Sequence, residues 1–218
     1  MKPLLCYVTD RNVLAEPSLL AEQISRAVSA GIDWIQIREK DLSARELLEL
    51  AREAVKVAHG TATRIIVNDR LDVALAAGAG GVHLGEASMP VAKVSEWRRD
   101  AASKNETARE HSLREFLIGA SCHSVEAVRA AERDGTDYVI FGPVFSTPSK
   151  EKFGPSLGIN RLAEASKAVR IPVLAIGGIT EANARECFDV GASGIGAIRM
   201  FSGEQDLAGL VGRLRGAR

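Results

Sequence analysis

The sequence predicts an α/β protein of the (β/α)8 TIM-barrel class, and three observations carry the prediction. A glycine followed by a short apolar run recurs four times, an Ala-rich amphipathic stretch precedes each copy, and the copies are spaced for two β/α units apiece. The copies are Gly31-Ile32-Asp33-Trp34-Ile35-Gln36-Ile37-Arg38, Gly78-Ala79-Gly80-Gly81-Val82-His83-Leu84-Gly85, Gly135-Thr136-Asp137-Tyr138-Val139-Ile140-Phe141-Gly142 and Gly191-Ala192-Ser193-Gly194-Ile195-Gly196-Ala197-Ile198. Each opening glycine stands where a helix needs a left-handed residue to stop, so each copy reads as helix end, tight turn and buried strand. These glycines lie 47, 57 and 56 residues apart. One β/α unit takes roughly 25 residues, so every interval holds two.

The intervening elements are visible in order. Leu4–Thr9 is the first strand, and the first glycine copy supplies the second. Leu42–Ala58 has helical periodicity, Arg64–Asn68 is the third strand, and the second copy holds the fourth. Phe116–Cys122 is the fifth strand, the third copy the sixth, and Val173–Ile176 the seventh. Glu181–Val190 reads as a helix before the eighth strand in the last copy. Residues 98–115 are polar and charge-dense, too short for a core of their own, and read as a helix end with a surface loop. The whole of 1–218 is therefore expected to be one barrel domain with a polar insertion near 98–115. An open doubly wound sheet is the competing topology. The regular spacing disfavours it, as does the lack of a GxGxxG turn after the first strand.

Composition narrows the function classes. The 218 residues carry 28 Lys+Arg against 28 Asp+Glu, with 46% hydrophobic and 26% charged residues. That is ordinary globular material, and a balanced charge argues against a broad nucleic-acid-binding surface. No run approaches the roughly 20 apolar residues that span a bilayer, and the N-terminal apolar run is too short for a signal peptide. Cys6, Cys122 and Cys187 are scattered, without zinc spacing, which suits reduced buried thiols and a cytoplasmic protein.

In this fold chemistry sits at the C-terminal ends of the strands. Strand 2 ends in Gln36, Arg38, Glu39 and Lys40, with alternation putting Gln36, Arg38 and Lys40 on one side. The plain alternative is ion pairing of Arg38 and Lys40 with Glu39 and Asp41. Strand 3 ends in Asn68-Asp69-Arg70, where Asp69 suits a Mg²⁺ and the pair also suits a helix N-cap. After strand 4 come His83, which reads as a satisfied inward histidine, and then Glu86 and Ser88. Strand 5 ends in Ser121-Cys122-His123, with His123 open between ligand contact and a structural hydrogen bond. The 142–158 loop carries Ser146, Thr147, Ser149 and Lys150, suited to oxyanions. Gly177-Gly178 before a helix, with Ile198-Arg199 after strand 8, stands where barrels commonly hold a phosphate on backbone N–H groups.

Together, Tyr7-Val8-Thr9-Asp10, Gln36-Ile37-Arg38-Glu39-Lys40, Val67-Asn68-Asp69-Arg70, Val82-His83-Leu84-Gly85, Gly142-Pro143-Val144-Phe145, Thr147-Pro148-Ser149-Lys150 and Ala175-Ile176-Gly177-Gly178-Ile179 make the chain resemble the thiamine phosphate synthase and thiazole tautomerase superfamily, nearly end to end and closest to the synthases. The resemblance implies coupling of 4-amino-2-methyl-5-hydroxymethylpyrimidine diphosphate with hydroxyethylthiazole phosphate, or its carboxylated form, by Mg²⁺-assisted loss of diphosphate. It assigns Gln36, Arg38, Lys40 and Asn68 to the pyrimidine diphosphate, Asp69 to Mg²⁺ and Ser121 to the pyrimidine side. Thr147 and Ser149 would meet the thiazole phosphate, Lys150 the leaving diphosphate, and Gly178, Ile198 and Arg199 the thiazole phosphate through backbone donors.

Two positions depart from the synthase pattern. The motif after strand 4 resembles HxGQxD, whose final Asp is a second metal ligand, but Ser88 stands there; the strand-8 loop reads Ile198-Arg199 where Ser is usual in second place. A tautomerase needs no metal and would use His123 as acid and base. A non-catalytic relative would bind phosphate ligands without turnover. The expected partners are phosphorylated small molecules, with a homo-oligomer left open and neither nucleic acid nor membrane expected.

Overall fold

Eight strands close on themselves in sequence order, every neighbouring pair parallel. They are β1 Leu4–Val8, β2 Trp34–Ile37, β3 Arg64–Asn68, β4 Gly81–Leu84, β5 Leu117–Cys122, β6 Tyr138–Phe141, β7 Val173–Ile176 and β8 Gly194–Ala197. The computed structural model describes residues 2–103, 115–146 and 156–216. The helix after β2, Ala44–Ala58, starts later than its periodicity suggests because Ser43 is spent as the cap. Its side chain accepts from the Glu46 N–H while Glu46 answers to the Ser43 backbone, a reciprocal cap worth about 1 kcal/mol. The helix before the insertion runs over Val91–Ser103, and 104–114 lie outside the described residues.

The four repeat glycines all adopt positive φ, at 76°, 70°, 92° and 103° for Gly31, Gly78, Gly135 and Gly191. The helix-stop reading of the repeat is thereby met by backbone geometry that other residues reach only under strain.

Strand alternation sorts the apolar residues into two cores. Leu5, Tyr7, Ile35, Ile37, Ile65 and Val67 pack outward against the helices. Cys6, Val8, Trp34, Ile66, Tyr138, Ile140 and Leu174 pack on one another inside the barrel. At its centre the rings of Trp34 and Tyr138 sit 4.5 Å apart, inclined at 47°. Gly119 makes this possible, since a Cβ there would collide with the Tyr138 ring.

The first and third glycine copies are related by more than spacing. Asp33, one residue before Trp34, accepts from the Leu5 N–H of β1 at 3.0 Å and pairs with Arg215. Asp137, one residue before Tyr138, accepts from the Ile118 N–H of β5 at 2.7 Å and pairs with Arg98. Each half of the barrel thus fixes its entering strand with an aspartate and fills the interior with the next aromatic residue.

Candidate functional site

At the C-terminal mouth, polar side chains replace the apolar interior. Gln36 ends the inward row of β2 and donates through Nε2 to Asn68 Oδ1 of β3 at 2.9 Å. Asn68 passes the contact on, its Nδ2 donating to Asp69 Oδ2 at 2.8 Å. Asp69 Oδ1 accepts from the Ser88 hydroxyl, which itself accepts from the Gly85 N–H at 2.6 Å. A chain of four side chains therefore crosses from β2 to the loop after β4. The Asn68-Asp69 pair does not cap the following helix, Leu71–Ala77, whose first turn has no side-chain cap. Asp69 has a φ of 62°, the one non-glycine residue with positive φ among the described residues. Such strain persists where the surroundings over-determine it, characteristically at functional sites. Buried Gln36 Oε1 has no partner among the described residues, and a buried acceptor left bare is costly until a donor arrives.

Glu39 is buried, unlike its charged neighbours Arg38 and Lys40. Its Oε1 accepts from Thr9 Oγ1 at 2.5 Å and its Oε2 from the Arg11 N–H at 3.1 Å. Thr9 Oγ1 in turn accepts from the Arg38 N–H at 2.9 Å, so the pair continues the β1–β2 junction beyond the end of the strand and fixes the Arg38–Lys40 turn. Burial pushes the Glu39 carboxyl above its usual range, partly offset by the Thr9 bond. Asp41 pairs with Arg11 instead, and among the described residues Arg38 and Lys40 make no ion pair. Lys40, Asn68, Asp69 and Arg70 line a cleft of about 260 Å³ together with Ile37, Glu39, Leu42 and Leu47.

On the neighbouring strands β4 and β5, Ser121 Oγ lies 2.9 Å from His83 Nε2, and His83 Nδ1 lies 3.2 Å from the Tyr138 hydroxyl. Burial lowers the His83 pKa to about 4, with Asp69 opposing and Arg38 adding to the shift, so the ring is neutral at pH 7. Exposed His123 uses Nδ1 on the Gly142 carbonyl, which ties the ends of β5 and β6 together.

Opposite, the loop after β6 is seated on the turn after β7. Val144 N–H donates to Ile176 at 2.8 Å and Phe145 N–H to Gly177 at 3.0 Å. Gly178 has a φ of 64°, and a Cβ there would stand 2.7 Å from the Ser146 carbonyl oxygen. Ile198 packs on the barrel interior, and Arg199 is exposed at the start of the short helix Arg199–Ser202. Thr147, Ser149 and Lys150 lie outside the described residues.

Among the described residues no three His, Cys, Asp or Glu side chains form a metal cage. Asp69 with the Ser88 hydroxyl at its side gives one carboxylate and one neutral oxygen. That set fits Mg²⁺, which typically takes one or two carboxylates and completes its shell with phosphate oxygens and water. Ser88, not exposed Glu86, is the side chain that reaches Asp69.

Residue types flagged Gln36, Asn68, Asp69 and Ser121 from the sequence. They did not indicate the partners of Thr9, Glu39 or Tyr138, which lie far away in the sequence. The available signal was alternation: Thr9 follows an apolar strand, and Tyr138 occupies the repeat position of Trp34.

Residues 5–201 match the family model described as thiamine monophosphate synthase. The chain is 43% identical over 202 residues to a putative thiamine-phosphate synthase of Geobacter sulfurreducens, covering 93% of this chain and 88% of that one. It is 36% identical over 211 residues to a thiamine-phosphate synthase of Syntrophomonas wolfei, covering 97% and 94%. Its fold superposes on thiamine phosphate pyrophosphorylase from Pyrococcus furiosus with a TM-score of 0.80 at 33% identity, over 98% of this chain and 94% of that one.

Proposed function

The chain belongs to the thiamine monophosphate synthase family, and from that membership we propose the reaction and the residues that carry it. The protein is a thiamine-phosphate synthase, a transferase of a pyrimidinylmethyl group. It joins 4-amino-2-methyl-5-hydroxymethylpyrimidine diphosphate to hydroxyethylthiazole phosphate, or to the carboxylated thiazole with loss of CO₂, and releases diphosphate. The observation that carries the assignment of residues is the continuous Gln36–Asn68–Asp69–Ser88 chain at the mouth, with an acceptor unsatisfied among the described residues at its Gln36 end and, next to Ser88 at the other, the carboxylate of Asp69 on a positive-φ backbone.

Gln36 Oε1, an acceptor with no partner among the described residues, suits the exocyclic amine of the pyrimidine. Arg38 and Lys40, held by the Thr9–Glu39 strut and free of ion pairs among the described residues, receive the diphosphate with Asn68. Asp69, with Ser88 beside it, would hold Mg²⁺, which when bound neutralises diphosphate charge. The C–O bond to diphosphate breaks with the electron pair leaving on oxygen, and the thiazole nitrogen attacks the resulting pyrimidinylmethyl cation. The protein contributes charge neutralisation and orientation and no nucleophile. Lys150 meets the leaving diphosphate, Thr147 and Ser149 the thiazole partner, and Gly178, Ile198 and Arg199 the thiazole phosphate through the backbone. One barrel domain carries the activity in the cytoplasm, in keeping with three free, buried thiols. No helix among the described residues is long and apolar enough to cross a membrane.

One observation favours a second reading, the thiazole tautomerase. The His123 ring is exposed, and its Nε2 makes no bond among the described residues, as an acid–base group requires. A single assay separates the two. Purified protein with both substrates and Mg²⁺ yields thiamine phosphate and diphosphate, and chelation stops it. Isomerisation of the carboxythiazole phosphate without coupling would instead establish the tautomerase, and binding without turnover a non-catalytic relative.

A further inference from the structure

Three groups stand in line from the barrel interior to its mouth: the Tyr138 hydroxyl, 3.2 Å from His83 Nδ1, and His83 Nε2, 2.9 Å from Ser121 Oγ. Two hydrogen-bond directions are conceivable. If His83 carried its proton on Nδ1, it would donate to Tyr138, and Ser121 would donate to Nε2. The Tyr138 hydroxyl hydrogen would then be buried with no acceptor among the described residues, which is unfavourable. With the proton on Nε2, Tyr138 donates to Nδ1, His83 donates to Ser121, and every buried hydrogen is used. The one hydrogen left over is that of Ser121, whose side chain is only partly buried and has no other partner among the described residues.

We propose that Tyr138 and His83 are positioning residues that hold the Ser121 hydroxyl as a hydrogen-bond donor toward the pyrimidine diphosphate. The proposal rests on the reading that Ser121 meets this substrate. Its partner there is a lone-pair acceptor and not the amine. Gln36 Oε1 supplies the opposite polarity from β2, so among the described residues the mouth offers one bare acceptor and one bare donor, on strands three places apart in the barrel. The Trp34–Tyr138 contact and the space left by Gly119 fix the first member of the line, so the direction is set by packing deep in the barrel.

The test begins with ¹⁵N spectroscopy of the full chain labelled in histidine, the His83 ring being identified by its disappearance in His83→Gln. The expected signal is a neutral ring protonated on Nε2; a proton on Nδ1 overturns the relay. Kinetics of coupling give the second arm. Ser121→Ala is expected to lower kcat/KM for the pyrimidine diphosphate about tenfold or more. His83→Leu should match it, and Ser121→Ala/His83→Leu should fall no further. His83→Gln, which can present an N–H near the Nε2 position, should stay within about threefold of wild type. A double variant whose losses multiply would overturn the idea that His83 acts through Ser121. Absence of coupling by the wild-type chain overturns the synthase reading and with it the identity of the acceptor, while the nitrogen spectrum tests the relay independently of activity.

Discussion

Asp69 and Gly177 hold matching positions in the two halves of the barrel. Each follows the last residue of its strand, β3 or β7, and each has a positive φ, 62° and 95°. The preceding residues pair equivalently, Asn68 with His83 on β4 and Ile176 with Gly196 on β8. One half uses glycine for this turn. The other forces an aspartate into it and so aims a carboxylate at the mouth.

The strain should be measurable as a difference between two variants that both lose the carboxylate. Asp69→Gly relieves the backbone and Asp69→Ala does not, so the glycine variant should be more stable by about 1 kcal/mol in urea unfolding. Both should lose Mg²⁺-dependent coupling. Equal stabilities would mean that the turn is unstrained.

Ser88→Asp sets a second carboxylate against Asp69, where the serine hydroxyl now donates. Like charges repel, so the metal-free variant should melt at lower temperature than wild type. Divalent metal should reverse this, with Mn²⁺ binding tightened and the melting temperature raised more than in wild type. If Mn²⁺ affinity is unchanged, neutral oxygen and substrate phosphates already complete the site.

Stability should fall on acidification because of His83. The unfolded ring takes up a proton near its ordinary value of 6.5, whereas burial holds the folded ring's pKa at about 4. Between these values the unfolded state binds more protons, so stability is lost as pH drops through this window. At roughly 1.4 kcal/mol per unit the loss approaches 3 kcal/mol. His83→Gln should remove this part of the pH dependence, whatever its effect on stability at pH 7; an unchanged pH slope in that variant would assign the loss to other groups.

Gly178→Ala should act on one substrate. The added carbon would press on Ser146 and Phe145, and the residue would keep an unfavourable φ. KM for the thiazole phosphate should rise about tenfold or more, with KM for the pyrimidine diphosphate little altered.

The barrel was legible because one repeated glycine marks each second β/α unit, and a helix stop followed by a buried strand has a local signature at Gly31, Gly78, Gly135 and Gly191. Gln36, Asn68, Asp69 and Ser121 were legible as polar types at strand ends. Their connections were not. The Thr9–Glu39 strut joins residues 30 apart, and the His83–Tyr138 bond spans 55. Spacing says nothing about which side chains meet across strands, nor about the sign of φ at Asp69. Ion pairing of Arg38 and Lys40 with Glu39 and Asp41, though suggested by their adjacency, gives way to burial of Glu39 and to the Arg11–Asp41 pair.

The aromatic pair Trp34–Tyr138 has a consequence for traffic through the enzyme. With the interior filled beneath the mouth, the barrel is a well with one opening rather than a tunnel. On the proposed reading, in which the pyrimidine diphosphate rests against Ser121, both substrates use that one entrance, and the deeper of the two is expected to enter first.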